Sequence, residues 1–300
     1  MSTFSPKNVC FVGLGAMGYP MASLLHKAGL TLEVFDVSSE TASRFVKEHP
    51  GVTVLKNLSE LSPSIYAVVL MLPDSDVVDK VVLGSPGSKG LADRLEKNAL
   101  IIDMSSSNPV RTRALAKRLD TLSIKLIDAP VSGGVKKAVT GSLAIMVGGS
   151  SEDIDRAQDI LNCLGASVTR VGAVGCGHAL KALNNYIAAT GFVAACEALI
   201  VAKKFGIDLS LMTDVLNQSS GKNSATDYKV KQFILNEGFN SGFSLQLMAK
   251  DVGIAANLAE SMELDASLLN QMSSLWSDAA KSFDRSVDHT LMYKLIADKS

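Results

Sequence analysis

The stretch that decides the fold is residues 8–18, which read NVCFVGLGAMG. An apolar run leads into a glycine-rich turn, and residues 19–28 continue with helical spacing. In a strand–turn–helix unit of this kind, Gly13 permits the tight turn, Gly15 lets the backbone approach a pyrophosphate, and Gly18 allows close helix–strand packing. The amino end of the helix offers N–H groups and partial positive charge to that anion. The pattern predicts a dinucleotide site at Gly13, Leu14, Gly15, Ala16, Met17 and Gly18.

Asp36 follows the second predicted strand and lies 18 positions after Gly18. A carboxylate at this place can accept hydrogen bonds from both adenosine ribose hydroxyls, and it would repel the extra phosphate of NADP. The next residues, 37–39, include no Arg or Lys that could hold that phosphate. NAD is therefore the favoured cofactor, and the two serines in this stretch leave NADP open.

The first half of the chain alternates β-rich runs with helical patterns. Strands are predicted at 9–12, 31–35, 52–55, 66–72, 99–103, 125–128, 143–147 and 167–171. Helix caps are predicted at Ser39 ahead of 40–47, at Asp74 ahead of 75–82, and at Asn108, where Pro109 opens a helix through 119. Continuous apolar strands separated by helices indicate a mostly parallel sheet covered on both faces, as in an α/β Rossmann domain.

After about residue 172 the strand pattern stops. Helices are predicted at about 178–204, 208–218, 224–236, 245–262, 266–282 and 288–298, after a glycine-rich junction at 172–177. The first of them is apolar nearly all round, which predicts burial against the first domain, the other helices or a second subunit. We therefore predict two domains, a dinucleotide-binding domain at 1–173 and an all-helical substrate and oligomerisation domain at 174–300.

The composition argues against nucleic acid and membranes as binding partners. Lys and Arg total 29 against 30 Asp and Glu, a balance that offers no field for gathering nucleic acid or an anionic membrane. The apolar stretch at 182–196 is interrupted by polar residues, so no membrane span is expected. The four cysteines show no metal or disulfide pattern and the four histidines are scattered, so we expect a soluble, cytoplasmic protein without a bound metal.

Several further segments carry polar groups suited to chemistry. Leu72 and Pro73 lie at the end of one predicted strand and could cover the adenosine. Ser105 follows the next predicted strand and could reach the nicotinamide ribose or the substrate. The turn Ser132–Gly134 exposes backbone N–H groups that suit a carboxylate, or it is simply a helix entry.

Lys181 and Asn185 are four positions apart and so share one helix face. Burial in apolar surroundings would lower the pKa of Lys181 and suit it to general acid–base catalysis. A solvated lysine beside a capping amide is the alternative.

Four motifs together resemble the signatures of the β-hydroxyacid dehydrogenase family. They are GLGAMGYPMA at 13–22, DAPVSGG at 128–134 with GSL at 141–143, GCGHALKALNN at 175–185, and KD at 250–251. The family includes 3-hydroxyisobutyrate dehydrogenase, tartronate semialdehyde reductase and L-threonate dehydrogenase. The resemblance implies a Rossmann domain followed by an all-helical domain, and it extends over essentially the whole chain.

The resemblance also implies roles for individual residues. Lys181 would be the catalytic lysine with Asn185 as its companion, Ser132, Gly133 and Gly134 would hold the substrate carboxylate, Ser105 would lie beside cofactor and substrate, and Lys250 would lie near the nicotinamide end of the cofactor. The implied activity is hydride transfer between a nicotinamide cofactor and a small 3-hydroxyacid. A homodimer or homotetramer is expected.

Two alternatives remain at this point. One is reduction of another carbonyl or an imine on the same scaffold, and the other is a catalytically silent nucleotide-binding regulator. The sequence does not identify the hydroxyacid.

Overall fold

The computed structural model describes residues 7–284 and 286–298, which form two compact units. The first unit ends at Lys181 and the second begins at Ala182. This boundary falls inside a long helix, Cys176–Phe205, rather than at the glycine-rich segment that precedes it.

The first unit is built on a nine-stranded sheet. Its strands are β1 Asn8–Val12, β2 Thr31–Phe35, β3 Thr53–Val54, β4 Ala67–Leu70, β5 Leu100–Asp103, β6 Lys125–Asp128, β7 Val131–Ser132, β8 Leu143–Gly148 and β9 Gly165–Gly172. The order across the sheet is β3-β2-β1-β4-β5-β6-β8-β7, with β9 also paired to β8. The first six positions follow the strand order of a Rossmann fold. The prediction of an α/β Rossmann domain is therefore confirmed.

Strands β1 to β6 pair in parallel, and β8 runs antiparallel to β6 and β7. Alternate residues of one strand enter different cores, because successive side chains point to opposite faces of a sheet. Phe11 packs in the core on one face, whereas Cys10 and Val12 belong to the core on the other. Burial on both faces explains why these strands are continuously apolar.

The helices of the first unit cover the two faces of the sheet. They are α1 Gly18–Lys27, α2 Ser39–Glu48, α3 Ser75–Leu83, α4 Pro109–Asp120, α5 Gly134–Thr140 and α6 Ser151–Leu164. Asp74 and Asn108 cap α3 and α4 as predicted, since each side chain accepts from backbone N–H groups in the first helical turn. The predicted cap Ser39 is wrong by one residue: Ser38 caps α2 and accepts from the N–H of Thr41.

The helix α7, Cys176–Phe205, is followed by α8 Leu209–Asn217, a π-helix at Ala225–Ile234, α9 Leu245–Ser261, α10 Ser267–Lys281 and α11 Met292–Ala297. A separate apolar core in the second unit contains Phe192, Trp276 and Met292. No strand is found among the described residues of this unit, which confirms the predicted all-helical half. Among those residues, α7 alone is long and apolar enough to cross a membrane by length and composition, and half of its most apolar window is buried.

Candidate functional site

The glycine-rich loop joins β1 to α1, and its three glycines differ in what surrounds them. Gly13 has a φ of +99°, and a Cβ placed there would lie 2.3 Å from the carbonyl oxygen of Met71. A Cβ on Gly18 would lie 1.8 Å from the carbonyl oxygen of Gly13. Around Gly15, by contrast, nothing lies within 4 Å. Packing therefore requires glycine at 13 and 18, whereas at 15 the backbone faces open space.

A cleft of about 450 Å³ lies beside this loop. Its walls come from the carboxyl ends of β1, β2 and β4 and from α3, which is the place where strand order reverses and where open α/β sheets bind ligands. The cleft brings together most of the predicted cofactor residues, which are Gly13, Gly15, Ala16, Met17, Gly18, Asp36, Leu72 and Pro73. Its volume lies in the range of small-molecule and cofactor sites.

Leu14 differs from its neighbours in the loop. Its side chain is buried in the core of the first unit, so only its backbone can serve the site. The N–H of Leu14 donates to Asp36 Oδ2 at 2.6 Å, and Asp36 Oδ1 accepts from the N–H of Ser38 at 2.7 Å. Asp36 thus ties the end of β2 to the glycine-rich loop while keeping acceptor capacity on both oxygens.

Ser105 is buried at the carboxyl end of β5. Its Oγ accepts from the N–H of Leu72 at 2.9 Å, and its own N–H donates to Asp103 Oδ1 at 3.0 Å. The hydroxyl still carries its proton and can donate it. Ser105 therefore links two of the predicted cofactor segments.

The turn at Ser132–Gly134 connects β7 to α5. The sequence analysis missed β7, whose two residues pair with β8 in an antiparallel register. Gly133 and Gly134 have φ values of +133° and +67°, conformations that L side chains rarely adopt. Both glycines are exposed, so this turn presents backbone polar groups at the surface of the first unit.

The first turns of α7 contain Lys181 and Asn185. Asn185 is buried, and its Nδ2 donates to Asp251 Oδ2 at 2.6 Å. Asp251 lies on α9 and is also buried, and Lys250 Nζ lies 3.9 Å from Asp251 Oδ1. The structure thus brings Asn185 and the KD motif together. Sequence reasoning did not assign Asp251 a role, although its place in that motif was the available signal.

Asp128 and His178 were also missed as site components. The carboxylate of Asp128, fully buried at the end of β6, accepts from the N–H of Gly175 at 2.6 Å and of His178 at 2.8 Å. Burial raises the pKa of Asp128, an effect that these two N–H donors and the neighbouring imidazole oppose. Asp128 therefore caps α7 from a distant strand.

Within residues 7–284 and 286–298, no group of three or more His, Cys, Asp or Glu side chains is arranged to hold a metal ion. Taken separately, the segments described above in each unit carry hydroxyl, amide, carboxylate and ammonium groups. Such groups can bind a nucleotide, hold a small anion and exchange a proton.

Comparison with known proteins agrees with this arrangement. Residues 8–172 match the family model for the NAD binding domain of 6-phosphogluconate dehydrogenase. Residues 175–296 match the model for the NAD-binding region of NADP-dependent 3-hydroxyisobutyrate dehydrogenase.

Individual relatives are similar over most of the chain. A 2-(hydroxymethyl)glutarate dehydrogenase of Eubacterium barkeri is 35% identical over 82% of this chain and 80% of its own length. The mitochondrial 3-hydroxyisobutyrate dehydrogenase of Homo sapiens is 34% identical over 87% of this chain and 78% of its own. A structure of Mycobacterium tuberculosis 3-hydroxyisobutyrate dehydrogenase with L-serine superposes with a TM-score of 0.88 at 28% identity, covering 97% of this chain and 99% of that one.

Proposed function

Because this chain belongs to the β-hydroxyacid dehydrogenase family, an NAD(P)-dependent family that acts on CH–OH groups, we propose that Lys181 is the general acid–base of a 3-hydroxyacid dehydrogenase. The observation that carries this assignment is the hydrogen bond from Asn185 to the buried carboxylate of Asp251 at 2.6 Å. It fixes an amide one helical turn after Lys181, which is a feature of an organised site and not of a solvated helix face.

Each polar segment has a part in the reaction that we propose. The Ser132–Gly134 turn binds the substrate carboxylate through its backbone N–H groups, and Ser105 donates its hydroxyl proton to substrate or cofactor. Lys181 takes the proton of the substrate hydroxyl in the oxidative direction and returns it to an aldehyde or ketone in the reductive direction. When bound, the nicotinamide would supply the hydride chemistry, and Lys250 would help to hold that end of the cofactor.

The cofactor that we propose is NAD rather than NADP. The cleft fits a dinucleotide, since Gly15 leaves its backbone open and α1 starts directly after the loop. Asp36 lines the same cleft, where its negative charge would repel a 2′-phosphate. We expect kcat/KM for NAD to exceed that for NADP by at least about tenfold, and a preference for NADP would refute the assignment of Asp36.

The activity test is a dehydrogenase screen that follows nicotinamide absorbance. The panel is 3-hydroxyisobutyrate, glycerate, threonate, serine, 4-hydroxybutyrate, 2-(hydroxymethyl)glutarate and sulfonated analogues. Replacing Lys181 by Ala should lower kcat by about 10²–10⁴-fold, the range that general acid–base catalysis supplies, with NADH binding retained. Lys281→Ala is the matched control, because Lys281 is an exposed lysine paired with Asp278.

Three outcomes would contradict the proposal. Near-normal turnover of Lys181→Ala would remove the lysine from the mechanism. Turnover of imines or other carbonyls without any hydroxyacid would favour a reductase on the same scaffold. Nucleotide binding without turnover across the panel would favour a silent regulator.

We also propose that the protein is a homodimer or homotetramer. The helical unit leaves large apolar side chains exposed along α7 and α8, among them Ile187 at 69% and Phe205 at 83%. Ile187 and Val201 are 14 positions apart, two heptads, so they lie close to one face of α7. A second copy of the chain would cover this apolar surface.

Light scattering after gel filtration tests the oligomer. Phe205→Asp should produce monomers while the chain stays folded, and an unchanged mass would refute this choice of surface. Binding of the wild-type protein to lipid vesicles would instead identify a bilayer as the partner of α7.

The location that we propose is the cytoplasm. The four cysteines at 10, 163, 176 and 196 are unbridged, as is usual in a reducing compartment. Cell fractionation tests this, and recovery of the protein with membranes or with an organelle would contradict it.

A further inference from the structure

A cluster of buried polar side chains lies beneath the carboxyl ends of β5 and β6 in the first unit. We define this cluster as Asp103, Ser105, Thr112, Asp128 and His178, none of which is more than 3% exposed. Burying so many polar groups is costly unless each finds a hydrogen-bond partner. The hydrogen-bond partners of these five side chains therefore show which segments of the chain the cluster connects.

The imidazole of His178 bridges two segments of the first unit. Its Nε2 lies 3.0 Å from the carbonyl oxygen of Ser105 and its Nδ1 lies 2.9 Å from Thr112 Oγ1. A carbonyl oxygen can only accept, so Nε2 carries the proton of that bond. The ring thus holds the backbone of Ser105 on one side and helix α4 on the other.

Ser105 is held at three points, each by a different segment. Its carbonyl accepts from His178, its N–H donates to Asp103, and its hydroxyl accepts from the N–H of Leu72. Asp103 is itself fixed, because its second oxygen accepts from the hydroxyl of Ser107 at 3.0 Å. The contact with His178 joins Ser105 to helix α7.

The carboxylate of Asp128 holds the first turn of α7 in place. The N–H of Gly175 donates to Asp128 Oδ1 at 2.6 Å, and the N–H of His178 donates to Asp128 Oδ2 at 2.8 Å. Glycines let the segments close around it: a Cβ on Gly177 would lie 2.8 Å from Asp128 Oδ2, and one on Gly148 would lie 2.6 Å from Oδ1. The turn therefore cannot shift without breaking bonds to a buried charge, which is a costly change.

We propose that His178 is a positioning residue that sets the place of Ser105 relative to Lys181. His178 lies three positions before Lys181 and so one turn away on the same helix. Its backbone anchors that turn to Asp128, while its ring anchors the Ser105 loop to the turn. This inference rests on the proposed function, because it concerns the two groups that the reaction needs at fixed separation.

The contact with the carbonyl of Ser105 requires a donor, not an imidazole as such. A glutamine can donate to that carbonyl from its amide nitrogen, while the hydroxyl of Thr112 keeps its own bond to the carbonyl oxygen of Asn108 at 3.0 Å. A leucine of similar bulk has no donor. His178→Gln and His178→Leu therefore form a matched pair that separates hydrogen bonding from the filling of space.

We expect His178→Leu to lower kcat by about 10- to 100-fold at a temperature where the protein is folded, since small misplacements of reacting groups have effects of this order. NADH affinity should stay within about threefold of wild type, because the hydrogen bonds of His178 go to Ser105, Thr112 and Asp128 rather than to the glycine-rich loop or Asp36. With substrate deuterated at the carbinol carbon, the primary isotope effect on kcat should rise as hydride transfer becomes rate-limiting. His178→Gln should restore kcat to within about threefold of wild type.

Thr112→Val provides a second variant that keeps the imidazole and removes its partner at Nδ1, together with the bond from the same hydroxyl to the carbonyl oxygen of Asn108. It should lower kcat less than His178→Leu does and raise the isotope effect in the same direction. A role in stability alone predicts something different: a lower melting temperature with wild-type kcat and isotope effect for the folded protein. That result, or a His178→Gln variant as impaired as His178→Leu, would overturn the inference.

A measurement that needs no turnover separates this inference from the proposed function. Reductive methylation with ¹³C-formaldehyde labels the lysines, and the signal missing from a Lys181→Met sample assigns Lys181. We expect this signal to move in His178→Leu and to return in His178→Gln. If it does so in a protein that oxidises no hydroxyacid, the proposed function fails and the positioning role stands. If the wild type is active and His178→Leu changes neither signal nor kcat, the positioning role fails alone.

Discussion

The two glycines at 15 and 18 belong to one motif, yet the structure predicts opposite consequences for replacing each by alanine. A Cβ on Gly18 would lie 1.8 Å from the carbonyl oxygen of Gly13 and 3.1 Å from the ring of Phe11. The loop would have to retreat by about 1 Å before that contact became tolerable, and overpacking of this kind costs about 1–3 kcal/mol or more. A Cβ on Gly15 meets nothing within 4 Å.

We therefore expect Gly18→Ala to lower the free energy of unfolding by about 3 kcal/mol, or roughly 6–12 °C in melting temperature for a unit of this size. Gly15→Ala should change stability by less than about 1 kcal/mol. It should nevertheless raise the Kd for NADH by at least about tenfold, equivalent to 1.4 kcal/mol, because the added methyl group occupies the place where the backbone approaches the pyrophosphate.

The assay pairs thermal unfolding of the nucleotide-free protein, followed by far-UV circular dichroism, with calorimetric titration of NADH. Gly253→Ala is the control for a harmless glycine replacement, since a Cβ there meets nothing within 4 Å. Equal losses of stability in Gly15→Ala and Gly18→Ala would refute the packing argument. Wild-type NADH affinity in Gly15→Ala would refute the assignment of the cleft.

Three further predictions concern other parts of the chain. Burial lowers the pKa of His289 from its ordinary value of 6.5 to about 4. As pH falls below 6.5, the unfolded state therefore binds a proton that the folded state does not. The free energy of unfolding should drop by about 2–3 kcal/mol between pH 7 and 4.5. Urea unfolding followed by the fluorescence of Trp276, the single tryptophan, measures this, and His289→Gln should show a smaller drop than wild type. Asp251→Leu should lower kcat at least about tenfold by releasing Asn185, with NADH affinity kept; unchanged kcat would contradict this. Gly133→Ala should raise the KM for hydroxyacid by about tenfold or more, because a φ of +133° is strained for alanine, and an unaltered KM would remove the turn from substrate binding.

Sequence reasoning located the elements whose signals are local. The strands at 31–35 and 125–128 have the predicted bounds, and in both of them polar residues alternate with or flank apolar ones, as in TLEVF and KLID. The caps Asp74 and Asn108 also follow from neighbouring residues. The two-residue strand β7 was missed because it is too short to show a periodic pattern of apolar residues. The antiparallel direction of β8 depends on the path of the chain between β6 and β8, which no local pattern of residues indicates.

The residues of the candidate site also fall into two groups: those with a local sequence signal and those identified only by distant partners. The glycine-rich loop is contiguous in sequence. The Ser132–Gly134 turn and the pair Lys181 and Asn185 were visible as separate segments with alternative interpretations, and the family resemblance supplied their roles. Nothing local marks Asp103 or Asp128 as more than the polar end of a strand. Their partners are distant in sequence: Asp128 meets the backbone of His178, which is 50 positions away, and Asp251 meets Asn185 across 66.

The sequence by itself determined that a strand, a glycine turn and a helix lie at 8–28, that a mostly parallel sheet continues from them, and that helices follow after about residue 172. Those features depend on steric and hydrogen-bonding preferences between residues that are neighbours along the chain. Only the tertiary structure decided that Gly15 faces open space while Gly18 is enclosed, and that His178 joins the Ser105 loop to the first turn of α7. The reason is physical: what surrounds a backbone atom, and which donor meets a buried acceptor, depends on strand order and helix packing, which no single stretch of residues contains.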